Sequence, residues 1–344
     1  MRSSILVALS LATGCVRGIQ PGEPPLTEQV PGDSRRMPAE WEAQAAVWLQ
    51  WPQSWEGVRV ERSFVNIVSA IAEYEEVHLI VDDEQLQDRA EGALADANTE
   101  RISFHVMRTD SSWLRDNGPR YVEVDGQLVM QDWEFDGWGG GFGPVPYAFD
   151  NAIPDQMAEL LDLPIESVAI VHERGDLEVN GLDTAIVSWS VLSQRNPDME
   201  KEEMSQALRQ VLGVSSVVYI EGFDPQDGTR GHVDGMVRFV SEDTVLVGQD
   251  GSDLMDDVAA QIAEQRPDLT IERLVAPDAA LLLNFLVGDD FVLVGDPQDA
   301  GQRETAEQAL DRWFPGREVR FVNVDALWEN GGGVHCVTND QPEG

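Results

Sequence analysis

Basic side chains are scarce in this chain: 23 Lys and Arg stand against 63 Asp and Glu, a formal net charge of −40. That deficit argues against a nucleic-acid binder, because neutralising phosphates takes Lys and Arg, and it disfavours an anionic membrane surface equally. The surplus carboxylates suit a solvated surface and also attract a cationic small molecule. Cysteine is scarcer still, with Cys15 and Cys336 alone. No Gly-rich phosphate loop follows the first strand-like segment. His232, Asp234 and Asp116 have no metal-ligand spacing, and Cys336 has no cysteine partner for zinc. The sequence therefore implies neither cofactor nor metal.

The apolar run from Ile5 to Ala12, after Arg2 and before Thr13, Gly14 and Cys15, is too short to span a bilayer and reads as an export signal. Small residues before Cys15 resemble the lipobox of bacterial lipoproteins, with Leu11 one place further from the cysteine than usual. Residues 1–15 are therefore expected to be a lipoprotein-type signal, with Cys15 lipidated and the protein exported to the periplasm or cell surface. Membrane contact is expected only through that anchor. Residues 16–36, rich in Pro, Gly and charge, read as a flexible tether, and residues 37–344 as one domain. Nothing in the sequence fixes an oligomeric state.

With Cys15 spent at the signal, Cys336 is the sole thiol of the domain, so no internal disulfide forms. An idle thiol is a liability where disulfides form. Cys336 is thus either a buried, inert hydrophobe or a nucleophile.

One phrase recurs along the chain. Polar turns lead into β-rich segments at 125–133, 182–190, 242–250 and 289–297. Helical periodicity follows at 154–163, 199–212, 253–265 and 302–314, with Pro154, Asp198, Ser252 and Asp299 near the starts. Further β-like runs lie at 167–173, 216–222, 270–277 and 318–324, and a comparable unit precedes them at 45–83. About five strand-strand-helix-strand units result. A closed radial α/β arrangement brings their loops to one axis, and an open α/β sheet is the alternative.

Chemically capable residues gather in four segments: WLRDNGP at 113–119, HERGDLEVNG at 172–181, GHVDG at 231–235 and NGGGVHC at 330–336. On a strand, His232 and Asp234 project from one face, a base beside a carboxylate. The three glycines before Cys336 mark a close approach of backbone or ligand. The same alternation points His335 away from the Cys336 face. Arg115 either pairs with Asp116 or leaves it for a ligand.

Taken together, these segments resemble the agmatine deiminase and bacterial (Porphyromonas-type) peptidylarginine deiminase family of the guanidine-modifying superfamily, the penteins. The resemblance runs from residues 37–52 through WLRDNGP, FDGWGG at 135–140, SQRNP at 193–197, GHVDG, Asn284-Phe285, GDPQDA at 295–300 and GGGVHCVTNDQP at 331–342. It implies a five-bladed α/β propeller of ββαβ units around a central active site. By position it makes Cys336 similar to the family nucleophile, His232 to its acid–base histidine, and Asp116 and Asp234 to the carboxylates gripping the guanidinium. Trp113, Glu173 and Asn284 match family pocket positions. Arg174 stands where the family has glycine, and is expected either to face the pocket and favour a carboxylate-bearing substrate or to face solvent. The lysine that often follows WGG is replaced by Gly141.

The reaction this implies is hydrolytic deimination through a Cys336 thiouronium, with agmatine giving N-carbamoylputrescine and ammonia. Arginine or arginyl peptides giving citrulline, and amidinotransfer, are alternatives. A binding lipoprotein that holds a guanidinium or polyamine without turnover is the alternative of another class.

Overall fold

The computed structural model describes residues 34–344. The export signal, Cys15 and nearly all of the tether lie outside the described residues. Arg35–Arg36 already form a strand against Glu123 and Val124, so ordered pairing begins two residues inside the segment read as tether.

Five small sheets make up the α/β fold. In each, an inner strand runs antiparallel to a second strand, and the second runs parallel to a third. The sheet built on Arg120–Val124 shows the pattern: Gln127–Glu134 pairs with it antiparallel, and Ile165–Val171 pairs parallel to Gln127–Glu134. Asp125 and Gly126, both at positive φ, make the two-residue hairpin between the first two. A helix supplies the crossover that parallel pairing requires, here Ile153–Leu161. The helices start where the sequence provides caps. Ser252 accepts from the Met255 amide and Asp299 from the Gln302 amide. The expected start at Asp198 lies instead at Glu200, which forms a capping box with Glu203 ahead of Lys201–Leu212. That helix buries Met204, Ala207, Leu208, Val211 and Leu212 at helical spacing and ends on Gly213 in the left-handed region.

The apolar core is divided among the sheets. One part joins Ile186, Val218 and Ile220 of one sheet to Val237, Val245 and Val247 of the next, covered by Val258 and Ile262 from the crossover helix Asp253–Gln265. Central strands buried on both faces read as continuous apolar runs, such as Phe291–Gly295.

Two features depart from the repeat read in the sequence. The first unit carries an additional helix, Glu84–Ala93, and a fourth strand, Ile102–Val106. Its inner strand comes from the other end of the chain: Thr338–Pro342 lies antiparallel to Gln44–Gln50, with Asn339 opposite Trp48. The ring of sheets is therefore closed by two segments far apart in sequence.

Each inner strand is preceded by a short helical turn. These are Leu114–Asn117, Arg174–Asp176, Val233–Gly235, Ala279–Leu283 with Asn284 after it, and Val334–Val337. The first touches the second, the second the third, the third the fourth, and the last touches the first. The ring closes where the backbone amide of His335 donates to Oδ1 of Asn284 over 3.0 Å. The radial arrangement, rather than the open sheet, accounts for this closed circuit.

Candidate active site

Local sequence explains the turns. In GHVDG and GGGVHC the expected strand alternation is replaced by single helical turns. His232 and Asp234 reach the same site because His232 caps its turn and Asp234 lies within it. Three glycines let the last turn pack tightly. A Cβ on Gly332 would stand 2.9 Å from the Cys336 Cβ and press on the Trp113 ring, and one on Gly333 would stand 2.5 Å from Asn284 Oδ1. Gly175 fills the gap between Asp116 and His232, where a Cβ would lie 2.6 Å from Asp116 Oδ1 and 2.8 Å from His232 Nδ1.

Cys336 is a free thiol, and its Sγ lies 3.1 Å from Asn284 Nδ2 and 3.5 Å from Asp234 Oδ2. Asp116 accepts from Trp138 Nε1 at 2.8 Å and from the Gly175 amide at 3.2 Å. His232 Nδ1 is 3.6 Å from Asp116 Oδ1, and its Nε2 is 3.8 Å from Glu173 Oε2. Those separations are ion-pair distances, too long for hydrogen bonds. His232 Nε2 and Glu173 Oε2 are both buried without a hydrogen-bond partner. Unpaired buried polar atoms are costly, and such atoms gather where a ligand or water completes the set. Glu173 Oε1 is held at 2.8 Å by Arg195 Nε, which the SQRNP segment supplies and whose role the sequence did not disclose.

Burial and charge set the protonation pattern. Burial alone would lower His232, but Asp116, Glu173 and Asp176 outweigh it and raise the imidazole to about 10. Glu173, pushed up by burial, is pulled down to about 2 by His232 and Arg195. Burial raises Asp116 to about 6, against the pull of His232 and Trp138 and with help from Asp234 and Glu173. Asp234 stays below the usual carboxylate range, because His335, His232 and Arg238 together outweigh its burial. Burial, then Asp234 and Asp116, hold the Cys336 thiol well above its ordinary value. These directions favour an imidazolium at His232 and a protonated thiol at Cys336, a poise that a bound cation would shift toward the thiolate.

The site opens into a cavity of about 270 Å³ walled by Trp113, Trp138 and Phe142, with Asp116, His232 and Cys336 on its inner side. Glu56 and Asp110 also line it, and among the described residues no Arg or Lys does. Trp113 lines the cavity, and Asn284 hydrogen-bonds to the thiol. Arg174 does not behave as expected in either sense. It is buried and does not line the cavity, and its Nη2 donates to both oxygens of Asp340 at 2.8 Å. A short turn that aims Glu173 inward leaves its neighbour directed behind the site. Arg115 likewise pairs with Asp340, at 2.8 Å, instead of with Asp116. The missing lysine after WGG has a steric reason, since a Cβ on Gly141 would collide with the Gly228 carbonyl.

Fold and site together define a hydrolase acting on the C–N bonds of linear amidines. The model of the Porphyromonas-type peptidyl-arginine deiminase family matches residues 36–342, and the chain belongs to that family. It is 30% identical to a Selenomonas ruminantium protein named "Putative agmatine deiminase", over 90% of this chain and 96% of that one. It is 26% identical to a solved agmatine deiminase of Enterococcus faecalis, with a TM-score of 0.82, covering 90% of this chain and 96% of that one. A substrate-bound agmatine deiminase of C. jejuni shares the fold, with a TM-score of 0.83 at 19% identity, over 93% of this chain and 99% of that one.

Proposed function

We propose that the chain converts agmatine to N-carbamoylputrescine and ammonia through a covalent thiouronium on Cys336. The observation that carries this reading is the meeting of Cys336, His232, Asp116, Asp234 and Glu173, from four separate turns, beside a cavity whose walls, among the described residues, hold carboxylates and no Arg or Lys. A planar guanidinium offers paired N–H donors that carboxylates accept side by side, here Asp116 and Asp234. Its charge offsets what holds the Cys336 thiol neutral, so binding favours the thiolate, and the thiol proton passes to solvent. The sulfur adds to the central carbon and gives a neutral tetrahedral centre. His232, charged at neutral pH, passes its proton to the departing nitrogen, and ammonia leaves with the C–N electron pair. The neutral imidazole then takes a proton from water as the oxygen adds to the thiouronium carbon. Collapse breaks the C–S bond and restores the thiolate, the hydroxyl proton passes to solvent, where ammonia takes it up, and the ureido product is freed.

The cavity supports agmatine over arginine. Among the described residues, the carboxylate of free arginine would find no Arg or Lys in the walls, whereas an amine tail would pass Glu56 and Asp110. Arg174, the one departure that favoured arginine, is engaged by Asp340. A panel of agmatine, arginine and arginyl peptides, scored for ureido product and ammonia, tests the reading. We expect agmatine to be turned over best. Preference for arginine or peptides would replace the substrate, and tight guanidinium binding without turnover would replace the enzyme by a binding protein.

A further inference from the structure

Three residues of the site have a charged neighbour in sequence that turns the other way: Arg115 beside Asp116, Arg174 beside Glu173, and His335 beside Cys336. Arg115 and Arg174 meet at Asp340. His335 does more, because it reaches the site directly. Its Nδ1 lies 2.8 Å from Asp234 Oδ2, the oxygen that also faces the Cys336 sulfur, and its Nε2 lies 2.9 Å from Glu40 Oε2. Glu40 is held in turn at 2.9 Å by Arg238 Nη2, with Arg115 at 3.7 Å. Arg238 also pairs with Glu178 at 2.6 Å and donates to the carbonyls of Leu283 and Phe285, on either side of Asn284.

An ionised carboxylate only accepts, so each ring nitrogen that faces one is placed to donate. Burial pushes both carboxyls up, but Arg238 and His335 outweigh it at Glu40, and His335 leads the groups that outweigh it at Asp234, so both lie below the usual carboxylate range.

We propose that His335, anchored by Glu40, is a positioning residue for deimination: it holds Asp234 as an oriented anion against which guanidinium and sulfur are set. This rests on the deimination reading. The bland alternative is an ionic cluster that serves the fold alone, and the two differ in what they do to KM. Asp234 would grip the guanidinium in ground and transition states alike, so losing its orientation falls mainly on KM.

The test uses the full chain with agmatine as probe, together with nitrogen-15 NMR of the histidine rings. In His335→Ala, KM should rise roughly 10- to 100-fold, the usual cost of losing a partner that orients a ligand-binding group, while kcat falls less. His335→Asn, which keeps an N–H for Asp234, should recover most of that loss, and Glu40→Gln should fall between. In the wild type at neutral pH, the His335 ring should give the signals of an imidazolium. A KM in His335→Ala within about two-fold of wild type would overturn the proposal, as would an equal loss in His335→Asn or a neutral His335 ring. A wild type inert toward every guanidinium would unseat the deimination reading instead. The ring signals would still decide whether His335 carries the charge that holds Asp234.

Discussion

Glu173→Gln removes one negative charge from beside His232 and keeps the side chain's shape. Glu173 Oε2 stands 3.8 Å from His232 Nε2. At an effective dielectric constant of about 20, two unit charges at that separation attract by roughly 4 kcal/mol, equivalent to about three pH units. Asp116 and Asp176 remain to support the imidazolium, so the expected fall is roughly one to three units. Arg195, 2.8 Å from Glu173 Oε1, adds to it once its partner is neutral. His232 donates its proton as an imidazolium, so activity is lost as pH rises through its folded value. The alkaline limb of kcat/KM should therefore move from about 10 to roughly 7–9. Stability follows the same sign. The contribution of a group raised above its unfolded value is complete below about pH 6.5 and fades as pH rises through the folded value. In the variant it fades earlier. Ammonia release from agmatine, measured as kcat/KM against pH for both proteins, decides the matter. An alkaline limb that stays in place would refute His232 as the proton donor poised by Glu173.

Cys336→Ala should abolish ammonia release and leave the circular dichroism of the fold unchanged; full activity would reject the thiouronium route. Arg174→Gly should leave the preference for agmatine over arginine as it is, because Arg174 does not line the cavity. It should lower stability by about 2 kcal/mol in denaturant unfolding, the usual cost of losing charge-assisted hydrogen bonds, because Arg115 still pairs with Asp340, and a switch in substrate preference would contradict its placement. Export and lipidation are proposed from the first residues, and full-length protein should enter the detergent phase while Cys15→Ser stays in the aqueous one. Equal partitioning would count against the anchor.

The repeat was legible because its signals are local. Asp125-Gly126 turns, Ser252 and Asp299 caps and two-sided apolar strands each lie within a few residues. The site residues were legible for a similar reason, since each precedes an inner strand in a short motif. What escaped depends on geometry that a motif does not carry. Strand alternation already pointed His335 away from Cys336, but in a helical turn neighbours stand about 100° apart, so where Arg115, Arg174 and His335 land behind the site could not be read from the motifs. Their partners Glu40 and Asp340 are far away in sequence. Thr338–Pro342, polar and ending in proline, resembles a loose tail and only the fold reveals it as an inner strand.

The pairing of Pro342 with Gln44 means that the barrel-like circuit has a clasp made from two segments about 300 residues apart. Such distant contacts form late and slowly. Cys336 lies just ahead of the clasp strand and Glu40 just before the strand it fastens, so thiol and carboxylate are brought to register by one event. A chain cut after Val337 would retain its sulfur and lose the means of aiming it.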